Sequence, residues 1–202
     1  MANNKKRFYE TSKRLLDVCL SLLFCIVLSP VLLLLLIITA IDSKGKPLFF
    51  QKRLGKNEKP FTIIKFRTMK TDTPSIAAEY LSEEKSDQYT TKWGKLLRKS
   101  SLDELPQLFV IFSGSMSFIG PRPGLARDGE PELVTERESY LPSPYSVKPG
   151  LSGYAQILLK RSHDIKERAR LDSYYAAHKS LKLDSKLFLL SFLIIFGFNQ
   201  GE

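Results

Sequence analysis

The sequence predicts an α+β protein: a mostly helical single domain with a small β-hairpin or sheet and an N-terminal re-entrant membrane helix-break-helix. Three observations predict this class. An uncharged apolar run at residues 18–41 is interrupted at its centre by Ser29 and Pro30. Two segments rich in β-formers, at residues 47–53 and 61–69, are separated by a short polar loop. Later segments of the chain show helical spacing of apolar residues.

The composition fits one globular domain with a sizeable core and an anionic partner. The chain has 202 residues, a hydrophobic content of 43% and a net charge of +10. This charge suits nucleic acid, an anionic membrane surface or a phosphorylated substrate, and charge alone does not choose among them. Cys19 and Cys25 both lie in the apolar run. A disulfide framework is implausible there, so we expect a cytoplasmic, reducing compartment.

The apolar run at residues 18–41 is long enough to cross a membrane. A straight helix over this run reaches about 36 Å, and a hydrocarbon core measures about 30 Å. The simplest interpretation is therefore a transmembrane helix. However, Pro30 removes a backbone donor, and Ser29 can bond a freed carbonyl, so we expect a break. Lysine and arginine residues flank the run on both sides, which places both ends in the cytoplasm. These features favour a re-entrant hairpin over a kinked span.

The hairpin divides the chain into two parts. Residues 1–43 form the membrane hairpin with its basic N-terminal flank, and residues 44–202 form a cytosolic, membrane-associated domain. A second apolar run, at residues 187–198, is too short to cross a membrane. It is either a core helix or a helix in the membrane interface, and we favour the interface.

The segments at residues 47–53 and 61–69 predict a β-hairpin. On its second strand, alternation places Lys65 and Arg67 on one face, pointing together into solvent or a site. Basic residues alternate with aromatic ones here, as in RNA-binding sheets, but the other elements of such a module are missing. We therefore expect no nucleic-acid partner. Loop-like sequence is predicted at residues 113–124, and residues 147–157 predict a turn that leads into a short strand.

Two adjacent acids, Asp103 and Glu104, stand out within the stretch KSSLDELPQL. One interpretation is structural: Ser101 and Glu104 match a capping box and tie off a helix N-terminus. That leaves Asp103 unexplained. The functional interpretation is an ionised Asp103 in the first turn of a helix, where it coordinates Mg²⁺ or attacks phosphorus. Arg98 and Arg122 would bind the phosphate oxygens, so the chemistry suggested is phosphoryl transfer.

Several familiar enzyme classes are not indicated by the sequence. It contains no P-loop, dinucleotide fingerprint or zinc motif. His163 and His178 lack partners at metal-ligand spacing and are interpreted as surface or structural residues.

A series of short motifs extends over nearly the whole chain. In order they are KRLLD at 13–17, the Ser-Pro break, QKRLG at 51–55, KFRTM at 65–69, SLDELPQL at 101–108, MSFIGPRP at 116–123 and KPGLSG at 148–153. In this order and spacing, the chain resembles the small monotopic phosphoglycosyl transferases of the bacterial sugar transferase family.

The resemblance implies a membrane enzyme at the cytoplasmic face of the bacterial inner membrane. Such an enzyme moves a sugar-1-phosphate from a UDP-sugar to undecaprenyl phosphate and releases UMP. It thereby starts the synthesis of a capsule, exopolysaccharide, O-antigen or glycoprotein glycan. The implied partners are the UDP-sugar, undecaprenyl phosphate and membrane lipid, with downstream glycosyltransferases as candidates.

The resemblance also implies roles for individual residues. Asp103 would be the nucleophile that forms a phosphosugar-aspartyl intermediate, Glu104 would assist, and the cofactor Mg²⁺ would bind at Asp103. Arg122 would contact phosphate. Three further cations are weaker candidates for binding substrate or lipid phosphate: Lys65, Arg67 and Arg98.

The sugar and two alternatives stay open. The segment DTPSIAA at residues 72–78 resembles capsule-type members that act on an N-acetylated 6-deoxy sugar, so we expect an N-acetylated amino or deoxyamino sugar. After KPGLSGYAQ the chain departs from better-known members, so the resemblance does not identify that sugar. In a one-step alternative, Asp103 or Glu104 only activates the lipid phosphate. In a non-catalytic alternative, the chain is a membrane-tethered basic scaffold that binds nucleic acid or lipid.

Overall fold

The computed structural model describes residues 2–43, 45–71, 73, 88–125, 129–159 and 164–195. Its helices are α1 Ala2–Val27, α2 Ser29–Ser43, α3 Lys92–Lys99, α4 Gln107–Ser113, α5 Pro131–Ser139, α6 Tyr154–Leu159, α7 Ile165–His178 and α8 Leu181–Ile195. Its strands are β1 Leu48–Leu54, β2 Pro60–Phe66, β3 Ser117–Ile119 and β4 Gly150–Ser152. The predicted α+β class is confirmed. His163 and nearly all of the segment at residues 72–78 lie outside the described residues.

The helices α1 and α2, called the helix pair below, are the predicted helix-break-helix. Ser29 Oγ donates a hydrogen bond to the carbonyl of Ile26 at 2.7 Å, beside the proline that lacks a backbone donor. None of the described helices is by itself long and apolar enough to span a membrane. The helix pair meets that requirement only as a unit, and it bends by 65° at the break.

Polar side chains attach α1 to the rest of the domain. Asp17 is buried, and its Oδ1 accepts hydrogen bonds from Ser117 Oγ at 3.0 Å and from Phe118 N at 3.1 Å, both in β3. Arg14 donates to two carbonyl oxygens in the last turn of α4, at 2.8 and 2.7 Å. A cation is favourable there because carbonyl groups at a helix C-terminus lack intrahelical partners. These contacts fix α1 against β3 and α4.

A largely buried network joins α1 to α7, α8 and the end of β3. Lys13 Nζ forms an ion pair with Asp184 Oδ2 at 2.6 Å and donates to the carbonyl of Ile119 at 2.9 Å. The hydroxyls of Tyr9 and Tyr175 donate to the same aspartate, at 2.8 and 2.7 Å. The basic flank of the apolar run therefore also holds the fold together.

The helix α2 packs on the same domain from the other side of the break. Leu35 is buried in a cluster with Phe66 of β2 and Leu97 of α3. Near the end of α2, Asp42 accepts a hydrogen bond from Trp93 N at 3.1 Å. Both arms of the helix pair thus return to one domain, which is the arrangement expected of a re-entrant hairpin. The division of the chain at residues 43 and 44 stays a prediction.

The outward faces of the helix pair are apolar and exposed. Seven side chains there have exposed fractions between 46% and 64%: Leu22, Leu23, Ile26, Val27, Leu33, Leu34 and Ile37. An apolar surface of this kind is typical of a membrane-binding or protein-binding region. The helix α8 combines a buried Leu187 with an exposed Leu189 and Leu193, so its described part serves as a core helix on one side. Its placement in the membrane interface stays a prediction.

Two small sheets position the remaining segments. The strands β1 and β2 pair antiparallel, from Leu48 opposite Phe66 to Leu54 opposite Pro60, so the predicted hairpin is confirmed. The strands β3 and β4 pair in parallel. Loop structure was expected for residues 113–124, and this expectation is wrong for β3, whose three residues are all buried. Such a pairing between distant segments leaves little signal in a strand this short.

Because both arms pack on one domain, we expect both ends of the helix pair to lie on the cytoplasmic side. Single cysteines at Lys5 and Lys46, in a Cys19→Ser, Cys25→Ser background, should resist a membrane-impermeant maleimide in intact cells. Both should react in inverted membrane vesicles. A periplasmic cysteine reporter controls for labelling, and reaction of one end alone from outside would mean a span.

We expect Asp17→Ala to destabilise the fold, because two buried donors lose their acceptor. The loss should be about 1–3 kcal/mol, which lowers Tm by roughly 2–10 °C for a chain of this size. Thermal unfolding in detergent measures this, with the exposed acid Glu132→Ala as the matched control. Equal Tm values for both variants would remove Asp17 from this role.

Candidate active site

Asp103 and Glu104, called the dyad below, lie in a 3₁₀ turn between α3 and α4, Leu102–Glu104. The preceding residue, Ser101, has φ 56° and ψ 16°, a left-handed conformation that is uncommon for a residue with a side chain. Its side chain caps no backbone amide. The predicted capping box is therefore wrong, whereas the dyad does lie in the first turn of a helix, a short 3₁₀ helix. Glu104 has different partners.

One carboxylate oxygen of Glu104 binds two cations. Lys65 Nζ donates to Glu104 Oε1 at 2.7 Å, and Arg122 Nη2 reaches the same oxygen at 3.2 Å. Lys65 comes from β2, and Arg122 comes from the turn that follows β3. Three segments that are distant in sequence therefore meet at this oxygen. The structure brings together Glu104, Lys65 and Arg122, as the sequence led us to expect.

Asp103 is buried, with 8% of its surface exposed, and its carboxylate has a different environment. Within the described part of the chain, no hydrogen bond or ion pair reaches this carboxylate. The charges that act on it are Glu104 and three cations: Lys65, Arg98 and Arg122. Its oxygens therefore remain available to a metal ion or to phosphorus.

The two carboxyl groups differ in acidity. Burial, together with the negative charge of Glu104, raises the pKa of Asp103 to about 6, although the nearby cations act in the opposite direction. Burial also disfavours the ionised form of Glu104, but Arg122 and Lys65 outweigh it and lower its pKa to about 2. Both groups are ionised at neutral pH. Asp103 is the more basic of the two and so the better nucleophile.

The other two predicted cations, Arg98 and Arg67, have different partners. Arg98, in α3, donates from Nε to Thr68 Oγ1 at 2.8 Å and contributes positive charge near Asp103. Arg67 donates to the carbonyl of Lys46 at 2.7 Å and lies over the Phe49 ring at 6.0 Å. The prediction that Arg67 points with Lys65 is wrong, because β2 ends at residue 66 and the alternation ends with it. Arg67 does not join the dyad.

The turn that carries Arg122 is fixed by close backbone contact. Gly120 N donates to Ser152 O, and Gly150 N donates to Pro121 O, both at 2.9 Å. A Cβ added to Gly150 would lie 2.1 Å from Gly120 N, so a side chain cannot be accommodated there without displacing backbone. This contact joins the GPRP and KPGLSG motifs.

A buried ion pair that the sequence did not indicate supports the same turn. Arg137 of α5 is 1% exposed, and its guanidinium binds Asp172 of α7. Its Nη2 also donates to the carbonyl of Arg122 at 3.0 Å. Burial of a charge requires a partner, but the spacing of Arg137 and Asp172 in the chain gives no sign that they pair.

A pocket opens beside the dyad. About 230 Å³ of non-atom space lies there, part of it open solvent. Three cations and a single carboxylate are among its lining residues, which are Arg53, Ile63, Lys65, Glu104, Gln107, Arg122, Pro123, Gly150 and Leu151.

The donor set at the dyad fits Mg²⁺ bound together with a substrate. This ion is usually held by one or two carboxylates, water and substrate phosphates. Asp103 offers unused oxygens, whereas Glu104 already binds two cations. Among the described residues, no group of three histidine, cysteine or acidic side chains could hold a metal by itself. Binding of Mg²⁺ at Asp103 stays a prediction.

Comparisons with known proteins agree with these features. Residues 8–197 match the sequence profile described as bacterial sugar transferase. The chain is 37% identical over 186 residues to an undecaprenyl-phosphate glucose phosphotransferase from Komagataeibacter xylinus, which covers 89% of this chain and 35% of that protein. It is 38% identical over 180 residues to the uncharacterized sugar transferase EpsL of Bacillus subtilis (strain 168), covering 89% and 84%.

A third relative carries a more specific name. The chain is 33% identical over 179 residues to a UDP-N-acetylgalactosamine-undecaprenyl-phosphate N-acetylgalactosaminephosphotransferase from Aeromonas hydrophila, covering 87% of this chain and 41% of that protein. This chain therefore spans less than half of two of these relatives and most of EpsL. With a family match over nearly its whole length, the chain belongs to the bacterial sugar transferase family.

Proposed function

We propose that this protein transfers a sugar-1-phosphate from a UDP-sugar to undecaprenyl phosphate at the cytoplasmic face of the inner membrane. The products are the polyprenyl-diphosphate sugar, which starts a glycan, and UMP. The names of two relatives support these substrates: an undecaprenyl-phosphate glucose phosphotransferase and the N-acetylgalactosaminephosphotransferase. The observation that carries the proposal is the dyad, in which an unengaged Asp103 lies beside two cations that Glu104 holds.

In the first step, an ionised oxygen of Asp103 attacks the phosphorus that bears the sugar. The bond between this oxygen and phosphorus forms as the bond to the UMP oxygen breaks, and UMP leaves with the electron pair. Lys65 and Arg122 stabilise the negative charge on the phosphoryl oxygens in the transition state. Bound Mg²⁺ would supply further neutralisation of the pyrophosphate charge.

In the second step, a phosphate oxygen of undecaprenyl phosphate attacks the same phosphorus. The bond to Asp103 breaks, and the carboxylate is regenerated without net gain or loss of a proton. A carboxylate is a competent leaving group here, because it is a far weaker base than an alkoxide. The reaction is therefore ping-pong, and one phosphate site serves both substrates in turn.

Packing of the dyad turn supports a lipid acceptor. Leu102 and Leu105, which flank the dyad, pack against the cluster of Leu35, Phe66 and Leu97. Leu35 belongs to α2, so the dyad turn and the helix pair share one hydrophobic cluster. A dyad in this position lies close to the level at which the phosphate of a membrane-embedded polyprenol would be presented.

We further propose a donor with an N-acetylated amino or deoxyamino sugar. The N-acetylgalactosamine named for one relative supports this assignment, while another relative is named for glucose. A panel of UDP-sugars tested by UMP release identifies the donor, and exclusive use of UDP-glucose would reject the N-acetylated class.

We expect UMP release to require Mg²⁺ and undecaprenyl phosphate for multiple turnovers. Asp103→Asn should lower turnover by at least about a thousandfold, since it removes the nucleophile. The exposed Glu132→Gln is the matched control and should retain wild-type rates. With donor alone, intact-mass spectrometry should find a sugar phosphate on Asp103. Normal turnover by Asp103→Asn would remove this residue from the role, and turnover without any adduct would favour the one-step reaction.

The pH dependence of kcat/KM should reflect the protonation of Asp103. Because its folded-state pKa of about 6 lies above the ordinary value, activity should fall about tenfold per pH unit below pH 6 as the nucleophile is protonated. Arg98→Met removes a charge that lowers this pKa, so the acid limb should move to higher pH. Glu104→Gln removes a charge that raises it, so the residual activity should show the limb at lower pH. Shifts in the same direction for both variants would contradict the assignment.

A further inference from the structure

Arg168 is a partly buried arginine that the dyad does not use. It lies in α7, one helical turn before Asp172 and on the same face of the helix. Within the described part of the chain, its guanidinium forms no hydrogen bond or ion pair. Partial burial of a charge without a direct partner is unfavourable. A ligand that supplies negative charge would remove this cost.

Among the described residues, two arginines and two acids contribute charge at Arg168. The arginines are Arg122 and Arg137, and the acids are Asp172 and Glu130. Both acids already have partners, since Asp172 pairs with Arg137 and Glu130 accepts a hydrogen bond from the backbone amide of Leu125. Burial and the nearby charge of Arg137 lower the pKa of Arg168, yet an arginine stays protonated in proteins. Arg137 contacts both Asp172 and the carbonyl of Arg122, and the charges of Arg137 and Arg122 act on Arg168; these three arginines are called the arginine cluster below.

Arg122 connects this arginine cluster to the dyad. Its Nη2 binds Glu104, its carbonyl accepts a hydrogen bond from Arg137, and its charge acts on both Asp103 and Arg168. In an in-line displacement, the leaving group departs on the side of phosphorus opposite the nucleophile. The departing UMP carries a phosphate, and guanidinium groups bind phosphate oxygens in pairs.

We propose that Arg168 and Arg122 together bind the phosphate of the nucleoside monophosphate leaving group, an assignment that rests on the function proposed above. Arg122 then contacts both the reacting phosphate, from the side of the dyad, and the nucleoside phosphate beyond it, whereas Arg168 contacts the nucleoside phosphate alone. Arg168 thus acts on binding of the nucleotide rather than on the acceptor lipid. Its charge also favours departure of UMP, because negative charge accumulates on the leaving oxygen.

The test compares Arg168→Gln with Arg168→Lys and with Arg170→Gln. Arg170 is a matched control, since it lies on the same helix, is exposed and, among the described residues, pairs with Glu167 alone. Calorimetric titration of the purified full-length chain with UMP should show binding weakened roughly 10- to 100-fold in Arg168→Gln. Arg168→Lys should retain part of the affinity, and Arg170→Gln should match the wild type. KM for the UDP-sugar should rise in parallel, while KM for undecaprenyl phosphate stays unchanged.

Three outcomes separate this proposal from the proposed function. Wild-type affinity for UMP in Arg168→Gln would overturn the proposed subsite. This holds also when the variant has a lower Tm, because Arg168 would then only stabilise Asp172. Equal loss of UMP affinity in Arg170→Gln overturns it as well, since the effect is then general charge. Inorganic pyrophosphate serves as a second titrant. If Arg168→Gln loses pyrophosphate binding in a chain whose wild type turns over no UDP-sugar, the anion subsite stands and the proposed function fails.

Discussion

The candidate site depends on one shared oxygen, Glu104 Oε1, which binds Lys65 and Arg122 at the same time. Without the Glu104 carboxylate, the positive charges of Lys65 and Arg122 would repel each other. Each cation would also be attracted to Asp103. Glu104 therefore holds the positive charge in place while Asp103 keeps its oxygens available. Burial and the charge of Glu104 raise the pKa of Asp103, whereas Arg122 and Lys65 outweigh burial at Glu104 and lower its pKa. A site of this kind is preorganised, because its charges do not wait for the substrate to assemble them.

The helix pair and the candidate site are joined by direct contacts and a shared hydrophobic cluster. Asp17 and Arg14 fix α1 to β3 and α4, and β3 leads directly into the turn that carries Arg122. On the other arm, Leu35 of α2 supports the leucines that flank the dyad. Residues of several short sequence motifs therefore contact one another in the fold. KRLLD holds β3, and the glycines of GPRP and KPGLSG meet at Gly120 and Gly150.

The sequence predicts the features that arise from local chemistry. Pro30 sets the break, a run of β-formers predicts the hairpin, and the charges around Asp103 indicate a phosphate site before any family resemblance is considered. The predictions that were wrong depend on conformation and tertiary contacts that a short sequence segment does not reveal. A capping box was expected at Ser101, but that residue adopts a left-handed conformation. The alternation that placed Arg67 beside Lys65 does not continue past the end of β2. Tertiary partners such as Arg137 and Asp172 carry no local signal.

The balance of buried charge explains why the arginines near the site have different roles. Arg137 is enclosed, so it requires Asp172 as a permanent partner and is suited to holding the backbone of Arg122. Arg168 remains partly open to solvent, which lowers the cost of its having no ion pair among the residues that the structure describes. Arg122 is held by Arg137 through its carbonyl and shares Glu104 with Lys65. The pocket itself is lined by three cations, Arg53, Lys65 and Arg122, and one carboxylate, Glu104, so an anionic group bound there would balance the remaining positive charge.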